Sequence, residues 1–141
     1  NKTTLISIFK EVYGTTPIRY INRIRLRKAK ELLVNTDTSV SEIADLVGFQ
    51  SIHYFSRFFK AKENCTPMEY RIVELLSCHA GKVLTHDMLL AYLWGPNARG
   101  NNRLLRVNMA NIRRKLEKDP AHPQYIFTAP RVGYRMAEPG E

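Results

Sequence analysis

The 141-residue sequence predicts a mainly α protein closed by a short β-hairpin. Three observations predict it. Apolar residues recur at helical spacing through most of the chain. Caps, glycines and prolines cut that pattern into short helices. Near the C-terminus two β-prone runs, QYIFTA and VGYRMA, flank Pro130-Arg131 and read as a hairpin.

The elements follow in order. LISIFKEVYG places Leu5, Ile8, Phe9 and Val12 on one helical face, and Gly14 ends it. TPIRYINRIRLRKAKELLVN opens with a Thr16 cap and Pro17 in the first turn. Its expected apolar stripe is Tyr20, Ile21, Ile24, Ala29, Leu32 and Leu33; Arg19, Arg23, Arg25, Arg27, Lys28 and Lys30 occupy the other side. Ser39 and Glu42 form the pattern of a capping box, and Ile43, Ala44 and Val47 are the buried face behind it. Gly48 supplies a tight turn, Phe49 enters it, and Ser51 caps the next helix. There Phe55, Phe58 and Phe59 face the core, while His53, Ser56 and Arg57 can face outward. Two short helices joined by a glycine turn are the helix-turn-helix pattern.

Thr66-Pro67-Met68-Glu69 is a second capping box, and its helix runs to about His79. KVLT is short and β-prone, and Thr85 caps HDMLLAYLW. GPNARGNN reads as a loop. RLLRVNMANIRRKLEKD is a long amphipathic helix expected to bury Leu104 or Leu105, Val107, Ile112 and Leu116.

Composition narrows the functional classes. The net charge is +9, and 44% of residues are hydrophobic. Residues 1–71 carry 12 Lys+Arg against 7 Asp+Glu, and residues 72–141 carry 10 against 6, so both halves are basic. A basic surface attracts polyanions, with a merely solubilising surface as the bland reading. Mean hydropathy is −0.33 and no apolar run is long enough for a membrane span, so no membrane partner is expected. Cys65 and Cys78 make no disulfide framework and suit a reducing cytoplasm. No export signal is visible. The first residue is Asn rather than Met, which points to a fragment or a processed chain. The four histidines lack zinc spacing, and no phosphate-binding glycine loop, nucleophile elbow or HExxH is present. No enzyme activity, metal or cofactor is expected.

Two resemblances refine this reading. LISIFKEVYGTTPIRYINRIRLRKAKELL, SVSEIADLVGF and HYFSRFFKAKENCTPMEYR resemble the DNA-binding domain of the AraC/XylS regulators. EYRIVELLSCHAGKVLTHDMLLAYLWGPN, LLRVNMANIRRKLEKDP and YIFTAPRVGYRM resemble the winged-helix effector domain of the OmpR/PhoB response regulators, nearest the potassium-responsive branch. The helix from Thr66 fits both patterns. The expected parts are therefore residues 1–65 and residues 66–141, with the helix 66–79 shared. The first resemblance implies a truncated first helix-turn-helix unit, and the second implies a missing N-terminal sheet. Faces such as Leu5/Ile8/Phe9 and parts of Leu75/Leu76 then need new partners. Either the two halves pack on each other across the shared helix, or a homodimer covers these faces. A crossing from one family to another inside a helix points to an engineered or recombined chimera.

The resemblances also imply site residues. In the intact helix-turn-helix unit, contacts to duplex DNA fall on Gln50, Ser51, Ile52, His53, Ser56 and Arg57. Arg57 is the strongest candidate because arginine can bind guanine bidentately. The truncated unit would use Lys2, Thr3, Ile6 and Ser7 more weakly. In the winged helix, the contacts fall on Arg103, Arg106, Val107, Asn108, Asn111 and Arg113, with Arg114 and Lys115 as helix-end charges. Arg131 stands at the wing tip where the family commonly has glycine, which implies strain there and a cation near the minor groove. The loop 95–102 contacts RNA polymerase in parts of the family, which makes polymerase a further candidate partner. The expected function is sequence-specific double-stranded DNA binding of the transcription-regulator type. The alternative is a designed structural chimera of two fold fragments with non-specific DNA binding or none.

Overall fold

The computed structural model describes all residues, 1–141. Seven α-helices and one three-stranded antiparallel sheet make up the chain. The helices are α1 (Lys2–Tyr13), α2 (Pro17–Asn35), α3 (Val40–Leu46), α4 (Ile52–Glu63), α5 (Pro67–Cys78), α6 (His86–Trp94) and α7 (Asn102–Leu116). The strands are β1 (Val83–Thr85), β2 (Ile126–Ala129) and β3 (Gly133–Met136), in the order β1-β3-β2. The expected hairpin is thus β2–β3, and the KVLT run adds a third strand through Leu84 opposite Tyr134.

Two hydrophobic clusters lie on either side of α5. The first gathers Leu26, Ala29, Leu33, Ile43, Ala44, Val47, Phe49, Phe55 and Phe59 from α2, α3 and α4. The second is built from α5 to α7 and the sheet, around Ile72, Leu76, Leu90, Leu105, Met109 and Ile126. Tyr70 of α5 packs against the first cluster, while Ile72 and Leu76 belong to the second. One helix serves both because its successive side chains point about 100° apart.

Polar ties cross the same seam. Arg71 is only 1% exposed, yet no carboxylate pairs with it. Its Nε donates to the Leu33 carbonyl at 3.0 Å and its Nη2 to the Thr36 carbonyl at 3.3 Å. These are carbonyls at the C-terminal end of α2, where the helix leaves acceptors unpaired and favours a cation. Tyr92 of α6 donates its hydroxyl to the same Thr36 carbonyl at 3.3 Å. Burial pulls the Arg71 guanidinium below the usual arginine value. Glu69 completes the capping box of α5: its Oε1 accepts from the Thr66 N–H at 2.7 Å, and the Thr66 hydroxyl accepts from the Glu69 N–H at 3.1 Å. The same Oε1 accepts from Lys115 Nζ at 2.8 Å, which ties the start of α5 to the end of α7. Burial alone would raise the Glu69 carboxyl, but the Lys115 ammonium and the Thr66 N–H and hydroxyl outweigh it and hold it below the usual range.

Several expectations need correction. Ile21 is 45% exposed, and Leu26 takes a core place that the predicted stripe omitted. The reason is that Tyr20 turns toward α1, meeting Phe9 and Tyr13 with ring centroids 5.6 and 5.2 Å away. At α3 the Ser39 hydroxyl accepts from the Glu42 N–H, but Glu42 makes no return bond, so only half of that capping box forms. Phe58 is half-buried rather than core. In α7 Leu105 and Ile112 are buried as expected, but Met109 joins them, whereas Val107 and Leu116 face outward. Lys115 is an ion-pair partner rather than a free helix-end charge. Leu76 is 1% exposed, so its face is covered by the chain itself. The face of α1 is not: Leu5 is 68% and Val12 70% exposed, and α1 buries no residue.

Candidate nucleic-acid interface

The first candidate reader is α3-turn-α4. Ile43 and Ala44 fix α3 to the core, and Gly48 turns the chain at φ 97. Arg25 lies against this turn: a side chain at Gly48 would meet its Nε at 3.2 Å, and its guanidinium sits 5.9 Å from the Phe49 ring. Arg25 is thereby engaged in packing. The Ser51 hydroxyl then caps α4 by accepting from the Tyr54 N–H at 3.1 Å. Phe55 and Phe59 are fully buried, four residues apart on one face. Their burial turns His53 and Arg57 to the solvent, with Ser56 half-buried beside them and Gln50 and Ser51 exposed ahead of the helix. Arg57 has no ion pair or hydrogen bond within the chain.

The second candidate reader is α7 with the β2–β3 hairpin as its candidate wing. Leu105, Met109 and Ile112 anchor it at spacings of four and three. Arg103, Arg106 and Val107 are exposed on the outer side. Asn108 donates its Nδ2 back to the Leu104 carbonyl at 2.9 Å, and Asn111 accepts from Arg114. Arg113 is placed differently from the others. Its Nη2 donates to the Ile126 carbonyl at 3.0 Å and to the Thr128 hydroxyl at 2.8 Å, and its guanidinium lies 5.5 Å from the Tyr134 ring. Its Nη2 thus joins α7 to the hairpin, while its Nε is buried without a partner. Arg131 stands at the exposed tip of that hairpin with φ 66, the left-handed conformation that glycine adopts at lower cost. The Val132 N–H closes the tip on the Ala129 carbonyl at 3.0 Å.

Lys2, Thr3 and Ser7 are exposed on α1, with Ile6 half-buried. Glu117 escaped the sequence reading altogether. It is 6% exposed and its carboxylate accepts the N–H groups of Gln124, Tyr125 and Ile126. It fixes where the strand after α7 begins. Its partners lie seven to nine residues on, across a loop whose path no local pattern gives.

A family described as "Helix-turn-helix domain" matches residues 1–72. A family described as "Transcriptional regulatory protein, C terminal" matches residues 60–136. The KDP operon transcriptional regulatory protein KdpE of Escherichia coli is 47% identical over 71 residues, which is 50% of this chain and 32% of that protein. The alkaline phosphatase synthesis transcriptional regulatory protein PhoP of Bacillus subtilis is 34% identical over 87 residues, 62% of this chain and 36% of that protein. This chain thus spans about a third of the length of the curated relatives it matches. Among solved structures, the C-terminal domain of the response regulator yesN from Fusobacterium nucleatum is 37% identical with a TM-score of 0.49, covering 50% of this chain and 69% of that one. The OmpR/PhoB homologue DrrB of Thermotoga maritima is 32% identical with a TM-score of 0.48, covering 52% of this chain and 33% of that one. The family matches overlap inside the segment that holds the start of α5, and the chain belongs to both: to the AraC-type helix-turn-helix family through residues 1–72 and to the OmpR/PhoB effector-domain family through residues 60–136.

Proposed function

We propose that this chain binds double-stranded DNA sequence-specifically, with α4 and α7 as major-groove readers and the Arg131 wing tip on the backbone or minor groove. The chain carries the DNA-binding domains of two transcription-regulator families. One observation carries the finer reading: each complete reader presents an arginine, Arg57 on α4 and Arg106 on α7, that is exposed and unpaired within the chain. An unpaired, exposed guanidinium on the outer face of such a helix is free to meet a base edge or a phosphate. His53, Ser56, Arg103 and Asn108 flank them. Asn111 Oδ1 and Arg113 Nη2 already serve α7 and the wing, which adds a positioning role for both residues beside the contact to DNA. We further propose a chimera whose parts, 1–65 and 66–141, share α5. The uncovered face of α1 favours a homodimer as a second reading. The 95–102 loop keeps RNA polymerase as a candidate partner.

The test is duplex affinity across a salt series. About five or six phosphate contacts give a log K against log salt slope near −5. Equal affinity for unrelated duplex sequences, or equal binding to acidic vesicles, would instead mark a generic basic surface, since the salt slope itself carries no sequence information.

A further inference from the structure

We propose that the pocket between the α1–α2 turn and the end of α4 is an oxyanion site that takes a phosphate group. The pocket, of about 450 Å³, is lined by Gly14, Thr15, Arg19, Asn22, Arg23, Leu26, Phe58 and Lys62. Three of these are cations, and none of the lining residues is an acid. Arg19, Arg23 and Lys62 make no ion pair anywhere in the chain, whereas Lys30, about two helical turns beyond Arg23 on α2, is paired with Glu63 at 2.8 Å. Like charges gathered on one concave surface repel one another, and a bound anion reverses the sign of that energy.

The walls suit an oxyanion. Gly14 turns the chain at φ 72, so the backbone doubles back and brings Thr15, only 8% exposed, into the pocket. Asn22 accepts from Arg25 through its Oδ1 at 3.4 Å, which leaves its Nδ2 as a donor. Lys62 is held on the other wall with its ammonium 5.8 Å from the Phe58 ring. Arg19 and Arg23 lie four residues apart on one face of α2. The pocket therefore offers two guanidinium groups, an ammonium and an amide to a group with several acceptor oxygens.

Two sources can supply that group. Lys62 belongs to the same helix as Arg57, so a backbone phosphate of the duplex read by α4 is one; this source rests on the DNA-binding reading above. A free phosphorylated ligand is the other and does not depend on it. The experiment uses the full chain and its Arg23→Gln, Lys62→Gln and Lys28→Gln variants. Lys28 is an exposed lysine of α2 outside the pocket. Duplex affinity is measured across a salt series, and sodium pyrophosphate binding by calorimetry. A loss of about 0.9 from the salt slope in Arg23→Gln and Lys62→Gln, with Lys28→Gln unchanged, supports the duplex as the source. Pyrophosphate binding that both variants abolish, with the duplex slope unmoved or no duplex binding at all, supports a free phosphorylated ligand. The proposal is overturned if neither measurement distinguishes the pocket variants from the parent chain, or if Lys28→Gln matches them.

Discussion

Replacing Arg71 with alanine is expected to destabilise the chain by about 3–5 kcal/mol, a large share of an ordinary domain's stability. Three losses add. The carbonyls of Leu33 and Thr36 lose charged donors inside the seam. A large and fully buried side chain leaves a cavity. The C-terminal end of α2 loses its cation. Arg71→Met is expected to cost less, about 1–2 kcal/mol, because it keeps most of the volume and removes a buried charge whose Nη1 has no partner. Urea unfolding followed by far-UV circular dichroism and by the fluorescence of Trp94, the single tryptophan, measures both. Since Arg71 links α5 to α2, both signals are expected to shift together. A loss under about 1 kcal/mol in Arg71→Ala would mean that water replaces the side chain at no cost and that the seam is looser than its hydrogen bonds imply.

Gly133→Ala is expected to cost at least about 3 kcal/mol through overpacking. Gly133 pairs with Thr85 on one side and Ala129 on the other, at the centre of the sheet. An added Cβ would overlap the Leu84 carbonyl and lie 2.9 Å from Thr85 Cα, so backbone rather than a flexible side chain would have to move. The result is separation of β1 from β3 and loss of the strand that supports the wing. Gly100→Ala is the control: its φ of 86 also disfavours alanine, but no atom lies within 4 Å of an added Cβ. It is expected to cost only about 1 kcal/mol. Thermal unfolding of the two variants side by side checks the difference; equal shifts would show that β1 can yield to the intruding methyl.

Much of this fold was legible because its signals are local. The caps at Thr16, Ser51, Thr66 and Thr85 all accept the N–H group that their position predicts. The Gly48 turn and the strained Arg131 tip were visible for the same reason, since both depend on φ at a single residue. What escaped depends on distant partners. Leu26 replaces Ile21 in the core because α1 claims the Tyr20 side of α2. Met109 replaces Val107 because α7 packs against α5 and α6 through the face that Leu105 and Ile112 share with it, at spacings of four and three. The tertiary partners of Arg71, Glu117 and the Glu69–Lys115 pair have no local signal, because only folding brings carbonyls, N–H groups or an ammonium to them. The site reading shows the same division. Arg57 and Arg106 face solvent as their helical positions imply, but Arg113 is turned to the hairpin by Thr128 and Tyr134, fifteen and more residues away.

The proposed function requires that α4 and α7 both read sequence in one chain. The most direct measurement is selection from a random duplex library at near-physiological salt, with the parent chain, Arg57→Ala and Arg106→Ala run in parallel. One enriched motif with two separate elements is expected. Each variant should lose one element, with a roughly 10- to 100-fold weaker affinity at that part of the site. No enrichment with the parent chain, or a motif indifferent to both substitutions, would contradict it and leave the assembly of two fold fragments as the better description.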